Sequence, residues 1–422
     1  MTNFFKNQVA RVKRISQDPL RILEFIATRK YMQKILAKRL QSLATKTPVS
    51  ENYPYEIYDH NYLSNLPKGS EFFYLIGENW LKSPHKEYVL AFGFNDWKFG
   101  FCADYLPKYR VAFAPRHFLG RSAKLVTKRL KKNLPDAIYV WGYVTPKWIE
   151  NFAKRNKISF IRVEDGFIRS VGLGATHSIP YSLVFDYNGG LYYNNNSKHG
   201  LLDILNNFKF NTKILQKSRV CQKTIIEKSL SKYNPSVAKV KNETFKKEDI
   251  LVLGQVGNDM SLKYGNPEYW TQLKLIDLAI KENPDSKIVY RPHPDVFHGH
   301  QNKSISLEKI PSSVEIQEPT GSLIDAIKKA KHVYVITSLG GFEALIYGLK
   351  VTTVGTPFYA GWGLTDDKTH IPFRDRKLGL DELFAGAYLI YSNYLLNLND
   401  NYIGFQKTCD KIDNDRRELI RT

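Results

Sequence analysis

The sequence contains few cysteines and no long hydrophobic run. Cys102, Cys221 and Cys409 are its only cysteines, and they are far apart, odd in number and without the spacing of a metal site. This argues against a disulfide framework and indicates a reducing compartment. No run of about 18 to 20 apolar residues occurs, and the first residues lack the apolar core of a signal peptide. We therefore expect a cytoplasmic protein.

Acidic residues are also in the minority. There are 62 Lys and Arg against 41 Asp and Glu, a formal net charge of +21, which favours an anionic partner such as nucleic acid, a membrane surface or a charged polysaccharide. Residues 1–46 carry eleven Lys or Arg residues, with apolar residues at helical spacing. Such helices lie on the anionic inner face of a membrane or pack, solvated, on the protein body, and both interpretations stay open. A second basic run, residues 121–132, faces an anionic acceptor, lipid or water.

Apolar runs alternate with helical stretches in two blocks. We expect parallel strands at 88–94, 137–143, 158–163 and 181–186, and again at 250–256, 287–290, 332–336 and 351–354. Helices are expected around 270–281 and 323–330. Two Rossmann-like halves of this kind place a ligand cleft at the carboxyl ends of their strands, as in GT-B glycosyltransferases.

This pattern predicts an α/β fold in five segments. They are a basic amphipathic helical extension (1–52), an N-terminal Rossmann-like acceptor and catalytic domain (53–193), a polar helical linker (194–248), a C-terminal Rossmann-like nucleotide-binding domain (249–380) and C-terminal helices (381–422).

The stretch TSLGGFEAL, residues 337–345, indicates a nucleotide phosphate cradle. The first N–H groups of a helix lack backbone partners and carry the positive end of its dipole, and Gly340 and Gly341 allow an anion to approach closely. Thr337 and Ser338 add hydroxyl donors. Glu343, about one turn further in, is placed to accept hydrogen bonds from ribose hydroxyls. The alternative is an ordinary strand-to-helix turn.

The stretch RVEDGFIR places two carboxylates, Glu164 and Asp165, between Arg162 and Arg169 at the end of an expected strand. The arginines can hold a sugar carboxylate bidentately or keep a neighbouring acid ionised, and an ionised acid can attack an anomeric carbon. Because adjacent strand residues point to opposite faces, we expect one carboxylate in the site and favour Asp165, beside flexible Gly166. Glu164 is a candidate base. The alternative is a structural salt-bridge network.

Two polar loops follow strands of the second block. Their candidate donor-binding residues are Gln255, Asp259 and Ser261 in GQVGNDMS, and Arg291 and His293 in YRPHPD. The first three either bind a ligand or cap a turn or helix. The imidazole of His293 is held between two prolines, so it either meets a leaving phosphate as donor or acid or is an ordinary loop histidine.

Five stretches of the sequence together resemble the bacterial capsule polysaccharide β-Kdo transferases of KpsC type. They are RVEDGFIRSVGLGA, GQVGNDMS, VYRPHPDV, TSLGGFEAL and GTPFYAGWGLTDD, and the resemblance covers about residues 88–394. It implies a GT-B enzyme that takes CMP-Kdo as donor, needs no cofactor or metal, and retains β configuration. The implied acceptor is lipid-linked or an oligosaccharide, at the inner face of the inner membrane.

The resemblance also implies roles for residues. Asp165 would be the nucleophile, His293 with Thr337 and Ser338 would meet the CMP phosphate, and Glu343 would meet the ribose. Arg162 and Arg169 would hold the Kdo carboxylate.

The resembled enzymes commonly have two catalytic modules in tandem, whereas this chain has one. Its motifs resemble those of the second module more closely. It would add one linkage alongside other capsule assembly proteins, or a single Kdo in lipopolysaccharide. A transferase of another CMP-activated 2-keto sugar acid and a non-catalytic component of the export machinery are the alternatives. Because the aromatics lie mostly in apolar strands, we expect no nucleic acid as partner.

Overall fold

The structure, a computed structural model, describes residues 57–58, 73–77, 79–82, 85–114, 123–172, 178–234, 248–297, 307–319 and 321–421. The basic segment 1–46 and the start of the second basic run lie outside these residues, so their expected roles stay predictions. None of the described helices combines the length and the apolar character that a membrane span needs.

The described chain forms two compact units. The first comprises the described residues up to Val140 together with Val144–Ser159, and the second comprises Trp141–Tyr143 and the described residues from Phe160 onward. This division falls before the segment 194–248 that was predicted as a linker. The described residues of that segment belong to the second unit and are largely helical.

The first unit contains a mixed sheet with strand order β1-β2-β4-β3-β5. Its strands are β1 (Ile57–Tyr58), β2 (Tyr74–Ile76), β3 (Tyr88–Phe92), β4 (Arg110–Phe113) and β5 (Ala137–Trp141), and its helices are α1 (Asn79–Lys82), α2 (Phe99–Asp104), α3 (Ala123–Leu130) and α4 (Lys147–Arg155). Strand β3 pairs in parallel with β4 and β5, as expected for β3 and β5, whereas β2 runs antiparallel to β4. Strands β1, β2 and β4 were not predicted from the sequence.

Three strands of the second unit form an antiparallel group. They are β6 (Ser159–Asp165), β8 (Ser182–Asp186) and β16 (Ser392–Tyr394). The middle strand, β8, runs antiparallel to both of its neighbours. The prediction that 181–186 forms a parallel strand was wrong, because Asp165 pairs with Leu183 in antiparallel register. A parallel pair needs a crossover connection, usually a helix, whereas the described residues between β6 and β8 contain only the short strand β7 (Ser170–Val171).

The second unit also contains a six-stranded parallel sheet with order β12-β11-β10-β13-β14-β15. Its strands are β10 (Asp249–Leu253), β11 (Ile288–Arg291), β12 (Val314–Ile316), β13 (Ala330–Val335), β14 (Lys350–Thr353) and β15 (Asp366–Asp367), and the helices between them are α7 (Met260–Gly265), α8 (Gln272–Glu282), α9 (Pro294–Phe297), α10 (Leu323–Lys329) and α11 (Gly340–Ile346). Both predicted helices and all four predicted strands of this block are confirmed.

Alternate residues of β10 explain why the strands of this sheet are apolar throughout. Ile250 and Val252 pack with Leu275 of α8 on one face, whereas Leu251 and Leu253 face a second cluster on the other. A parallel sheet covered by helices on both faces buries every residue of its central strands. The expected α/β class is thereby confirmed.

The remaining elements connect the two strand systems of the second unit. They are α5 (Gly200–Asn207), α6 (Thr212–Lys228), β9 (Tyr233–Asn234), α12 (Leu380–Phe384), a π-helical segment (Ala385–Tyr391) and α13 (Asn401–Arg421). Strand β9 pairs in parallel with β7. The described C-terminal segment is largely helical, and it also contains strand β16, which pairs with β8.

Candidate functional site

A pocket of ≈ 650 Å³ lies in the second unit, at the carboxyl ends of β6, β10, β11 and β13. Ligands of open parallel sheets bind at this edge, and the volume is typical of small-molecule sites. Eleven of the predicted site residues line it: Glu164, Asp165, Gln255, Asp259, Ser261, Arg291, His293, Thr337, Ser338, Gly340 and Glu343. Arg162, Arg169 and Gly341 are not among the lining residues.

Asp165 is the last residue of β6 and forms an ion pair with Arg169. Its Oδ2 lies 2.8 Å from Arg169 Nε, and the Arg169 side chain is 1% exposed. Arg169 Nη1 also donates to Ser170 Oγ at 2.8 Å. Burial by itself lowers the pKa of Arg169, but the charge of Asp165 and the hydrogen bond to its carboxylate help to outweigh burial and raise the pKa. Arg169 is thus a buried cation behind the carboxylate of Asp165.

Glu164 and Asp165 both line the pocket, so the expectation that only one would enter it was wrong. Glu164 Oε1 accepts a hydrogen bond from the Asp165 N–H at 3.0 Å, and Oε2 accepts one from the Tyr193 hydroxyl at 3.1 Å. The strand ends at this point, and the longer Glu164 side chain folds back toward that end. Two carboxylates therefore share one site.

Arg162 is engaged by the backbone outside the pocket. Its Nε donates to the Gly189 carbonyl at 2.7 Å and its Nη1 to the Gly142 carbonyl at 2.9 Å. The guanidinium also lies 4.3 Å from the ring centroid of Tyr143. These contacts tie two loops together near the end of β6.

Gln255, Ser261 and Thr337 form a hydrogen-bonded cluster at the ends of β10 and β13. The Thr337 N–H donates to Gln255 Oε1 at 2.8 Å, and Gln255 Nε2 donates to Thr337 Oγ1 at 3.0 Å. The hydroxyl oxygens of Ser261 and Thr337 are 3.0 Å apart. Asp259 Oδ1 accepts the Ser261 N–H at 2.8 Å and caps α7. Asp259 therefore caps a helix and lines the pocket at the same time.

His293 is held as a neutral imidazole. Its Nδ1 accepts the Asp295 N–H at 3.2 Å, which places the ring proton on Nε2. Burial lowers the pKa of His293, and the opposing charge of Asp295 does not cancel this effect. At neutral pH the ring can thus donate one hydrogen bond from Nε2 to a ligand.

The Arg291 guanidinium forms hydrogen bonds with residues of the pocket wall. It donates to the Gln317 side chain and to the carbonyls of Glu318 and Gly321. Burial lowers its pKa, although the guanidinium remains charged at neutral pH.

Gly340 and Gly341 are required by packing. A Cβ at Gly340 would lie 2.5 Å from Leu253 Cδ1, and one at Gly341 would overlap the Tyr359 hydroxyl. Ser338 Oγ accepts the Gly340 N–H at 3.2 Å. The close approach of α11 to β10 and Tyr359 accounts for both glycines, and the expected approach of an anion stays a prediction.

Glu343 is a buried carboxyl at the first turn of α11. It is 4% exposed, and its Oε1 accepts the Lys232 N–H at 2.8 Å. Burial raises its pKa to about 7, although the hydrogen bond from Lys232 acts in the opposite direction.

We expect the Glu343→Gln variant to gain stability over wild type as pH rises. The folded protein keeps the Glu343 proton between the ordinary carboxyl pKa and about 7, whereas the unfolded chain loses it, so wild-type stability falls across this window. At about 1.4 kcal/mol per pKa unit, the advantage of the variant grows by about 2 to 3 kcal/mol between pH 5 and pH 8. Urea unfolding at both pH values measures it, with the exposed Glu227→Gln as control. An advantage that does not change with pH contradicts this account.

The structure adds several lining residues that the sequence analysis did not select: Tyr192, Tyr193, Lys232, Tyr233 and Thr356. Lys232 belongs to the polar stretch interpreted as a linker, and no motif spacing marked it. The Lys232 carbonyl accepts the N–H groups of Arg169 and Ser170 at 3.1 and 3.4 Å. With the Glu343 contact, these bonds connect the Asp165 segment to α11, a relation that only tertiary structure reveals.

The fold and the pocket define an α/β protein that presents carboxylates, hydroxyls and an imidazole to a small-molecule ligand at the carboxyl ends of its strands. Residues 136–234 and 197–402 match the capsule polysaccharide biosynthesis protein family. The chain belongs to this family, as the sequence resemblance indicated.

Two curated relatives support this assignment. The lipopolysaccharide-processing protein LpsZ of Rhizobium meliloti is 37% identical over 351 residues, which are 79% of this chain and 78% of LpsZ. The capsule polysaccharide modification protein LipA of Neisseria meningitidis serogroup B is 37% identical over 289 residues, 68% of this chain but only 40% of LipA.

Two solved domains share the fold, both from KpsC of Thermosulfurimonas dismutans. The β-Kdo 2,4 transferase has a TM-score of 0.63 and 29% identity, covering 74% of this chain and 92% of that domain. The β-Kdo 2,7 transferase has a TM-score of 0.59 and 33% identity, covering 78% of this chain and all of that domain. One has the higher TM-score and the other the higher identity, so neither linkage is singled out.

Proposed function

We propose that this protein is a retaining β-Kdo glycosyltransferase that uses CMP-Kdo as donor. One observation carries the proposal: Asp165 at the end of β6 lines the same pocket as His293, Thr337 and Glu343 at the ends of the parallel sheet. A nucleophile and a nucleotide site must share one pocket if a carboxylate is to attack a nucleotide-activated sugar. The likeness to two Kdo transferase domains supports the choice of sugar.

The proposed reaction has two displacements. The Asp165 carboxylate attacks the anomeric carbon of Kdo, the bond from that carbon to the phosphate oxygen breaks, and its electron pair leaves with CMP. An acceptor hydroxyl then attacks the same carbon, releases Asp165 and transfers its proton to Glu164. Two inversions restore the β configuration. The ion pair with Arg169 stabilises the carboxylate form of Asp165 that this chemistry needs.

The nucleotide is placed on the parallel-sheet side of the pocket. His293 donates a hydrogen bond from Nε2 to the leaving phosphate, and the hydroxyls of Thr337 and Ser338 are further donors to it. Glu343 is assigned to the ribose, as predicted from its position on α11. No metal takes part in this scheme, and turnover that is unchanged in EDTA is the expected result.

The acceptor is proposed to be lipid-linked or an oligosaccharide in capsule or lipopolysaccharide biosynthesis. The described roles of LipA and LpsZ concern these two polymers respectively. A peripheral position at the inner face of the inner membrane, near other capsule assembly proteins, follows from such an acceptor.

The test is to incubate the protein with CMP-Kdo and no acceptor. We expect CMP release and an intact mass increased by one Kdo residue, located on the peptide that contains Asp165. CMP-activated sialic acid in a parallel reaction measures the specificity for Kdo. CMP release without any adduct on this peptide contradicts the covalent step, and no CMP release with or without a Kdo-bearing acceptor contradicts the proposed function.

A further inference from the structure

The pocket has an excess of carboxyl groups for a ligand that is itself an anion. Its acidic lining residues are Glu164, Asp165, Asp259 and Glu343, and its basic lining residues are Lys232, Arg291 and His293. His293 is held neutral, and Arg291 donates to three acceptors of the pocket wall. An activated sugar acid brings a phosphate and a carboxylate, so its charges need a cation that is still available.

Lys232 meets this requirement. Among the residues that the structure describes, none accepts a hydrogen bond from its Nζ or forms an ion pair with it, and its side chain lies against the Tyr233 ring, with Nζ 5.5 Å from the ring centroid. Burial by itself lowers the pKa of Lys232, but the neighbouring Tyr192, Tyr233, Asp165 and Glu164 outweigh burial and raise it. The ammonium group is therefore charged at neutral pH and open to a ligand in the pocket.

The backbone of Lys232 is fixed on both sides. Its N–H donates to Glu343 and its carbonyl accepts from Arg169 and Ser170, so the residue is held between the segment of the proposed nucleophile and α11. Because the backbone of Lys232 is already ordered, binding of a ligand to its side chain costs little additional backbone entropy.

The chemistry of the donor indicates which anion Lys232 meets. In a 2-keto sugar acid the carboxylate is bonded directly to the anomeric carbon, so it must come close to the carboxylate of Asp165 during attack. Two negative charges at such a distance repel each other, and a cation beside both reduces this cost. Lys232 is close enough to Asp165 and Glu164 to feel their charges, whereas the phosphate is assigned to the His293 and Thr337 side.

We propose that Lys232 binds the carboxylate of the donor sugar acid, in place of the predicted Arg162 and Arg169. This inference rests on the proposed function and adds to it a residue that selects an acidic sugar. Arg162 is engaged by Gly142 and Gly189, and Arg169 is buried behind Asp165. Neither guanidinium lines the pocket.

The experiment compares wild type, Lys232→Met and Lys232→Arg. Because wild type reacts with CMP-Kdo, the affinity for this donor is taken from the concentration that half-saturates the rate of single-turnover CMP release, and the affinity for CMP is measured by titration calorimetry. Wild type should bind CMP-Kdo more tightly than CMP. A hydrogen bond to a charged group contributes about 1.5 to 3 kcal/mol, so Lys232→Met should weaken CMP-Kdo binding roughly 10- to 100-fold and leave CMP binding within about threefold. Lys232→Arg, which keeps the charge, should recover part of the preference. The exposed Lys274→Met is the matched control and should behave as wild type.

The outcomes separate this inference from the proposed function. Retained CMP affinity in Lys232→Met shows that the pocket is intact, and a preference for CMP-Kdo that survives this substitution overturns the role of Lys232. A wild type that binds both ligands equally also overturns it. The proposed function is decided independently, by CMP release from CMP-Kdo in the wild type and its dependence on Asp165.

Discussion

Replacing Asp165 by asparagine is expected to lower the rate of CMP release from CMP-Kdo by at least about 10³-fold. Asparagine has nearly the same shape, but its neutral amide cannot form the glycosyl ester, and loss of a nucleophile typically removes several orders of magnitude of rate. Binding of CMP should not weaken, because the nucleotide is assigned to the other side of the pocket. Single-turnover kinetics with CMP-Kdo and calorimetry with CMP measure the two effects.

The control for this variant is Asp203→Asn on α5. Asp203 is exposed and its Oδ1 accepts a hydrogen bond from Asn207 in the next turn, so the same chemical change is made away from the pocket. Its turnover should equal that of wild type. If Asp165→Asn retains more than about a tenth of wild-type turnover, Asp165 is not the nucleophile, and the reaction proceeds by a single displacement or through another carboxylate.

Replacing Arg169 by methionine is expected to lower the free energy of unfolding by about 3 to 5 kcal/mol. Arg169 is 1% exposed and its partner Asp165 is 16% exposed, and removing one member of a buried ion pair leaves the other without compensation. Methionine fills a similar length of the cavity, so the loss reports on charge and hydrogen bonding more than on volume. Urea unfolding at neutral pH measures it.

An exposed ion pair of the same type provides the comparison. Arg219 Nε lies 2.6 Å from Asp381 Oδ2, but the Arg219 side chain is 64% exposed. Arg219→Met should therefore cost less than about 1 kcal/mol. In the double variant Arg169→Met with Asp165→Asn, the loss should be smaller than the sum of the single losses, because neither charge is left alone. Strictly additive losses contradict a stabilising pair.

The two blocks of strands differ in how well they were predicted, and the reason is physical. The strands of the second block are buried on both faces by helices, so their residues form apolar runs that local pattern detects. In the first block, β2 spans only three residues, and the direction of a strand cannot be read from an apolar run. Whether 181–186 runs parallel or antiparallel to β6 depends on its pairing with Glu164 and Asp165, which a local pattern does not contain.

The candidate site shows the same distinction. Loops that follow strands of a parallel sheet meet at one edge, so Gln255, His293 and Thr337 were predicted together from their positions after strands. Lys232 follows helix α6 in a polar stretch, and it reaches the pocket only because β9 pairs with β7 beside the Asp165 segment. Because Lys232 is far from both Asp165 and Glu343 in the sequence, no local pattern predicted that it lies beside them.

The sequence alone determined the α/β class, the family and eleven of the residues that line the pocket, because these depend on local periodicity and on motifs at strand ends. The tertiary structure decided which charges face the pocket: it placed Arg162 and Arg169 behind the wall and Lys232 within it. Side-chain direction and burial depend on packing between segments far apart in the chain, and the charge state of a buried group such as Glu343 follows from that packing.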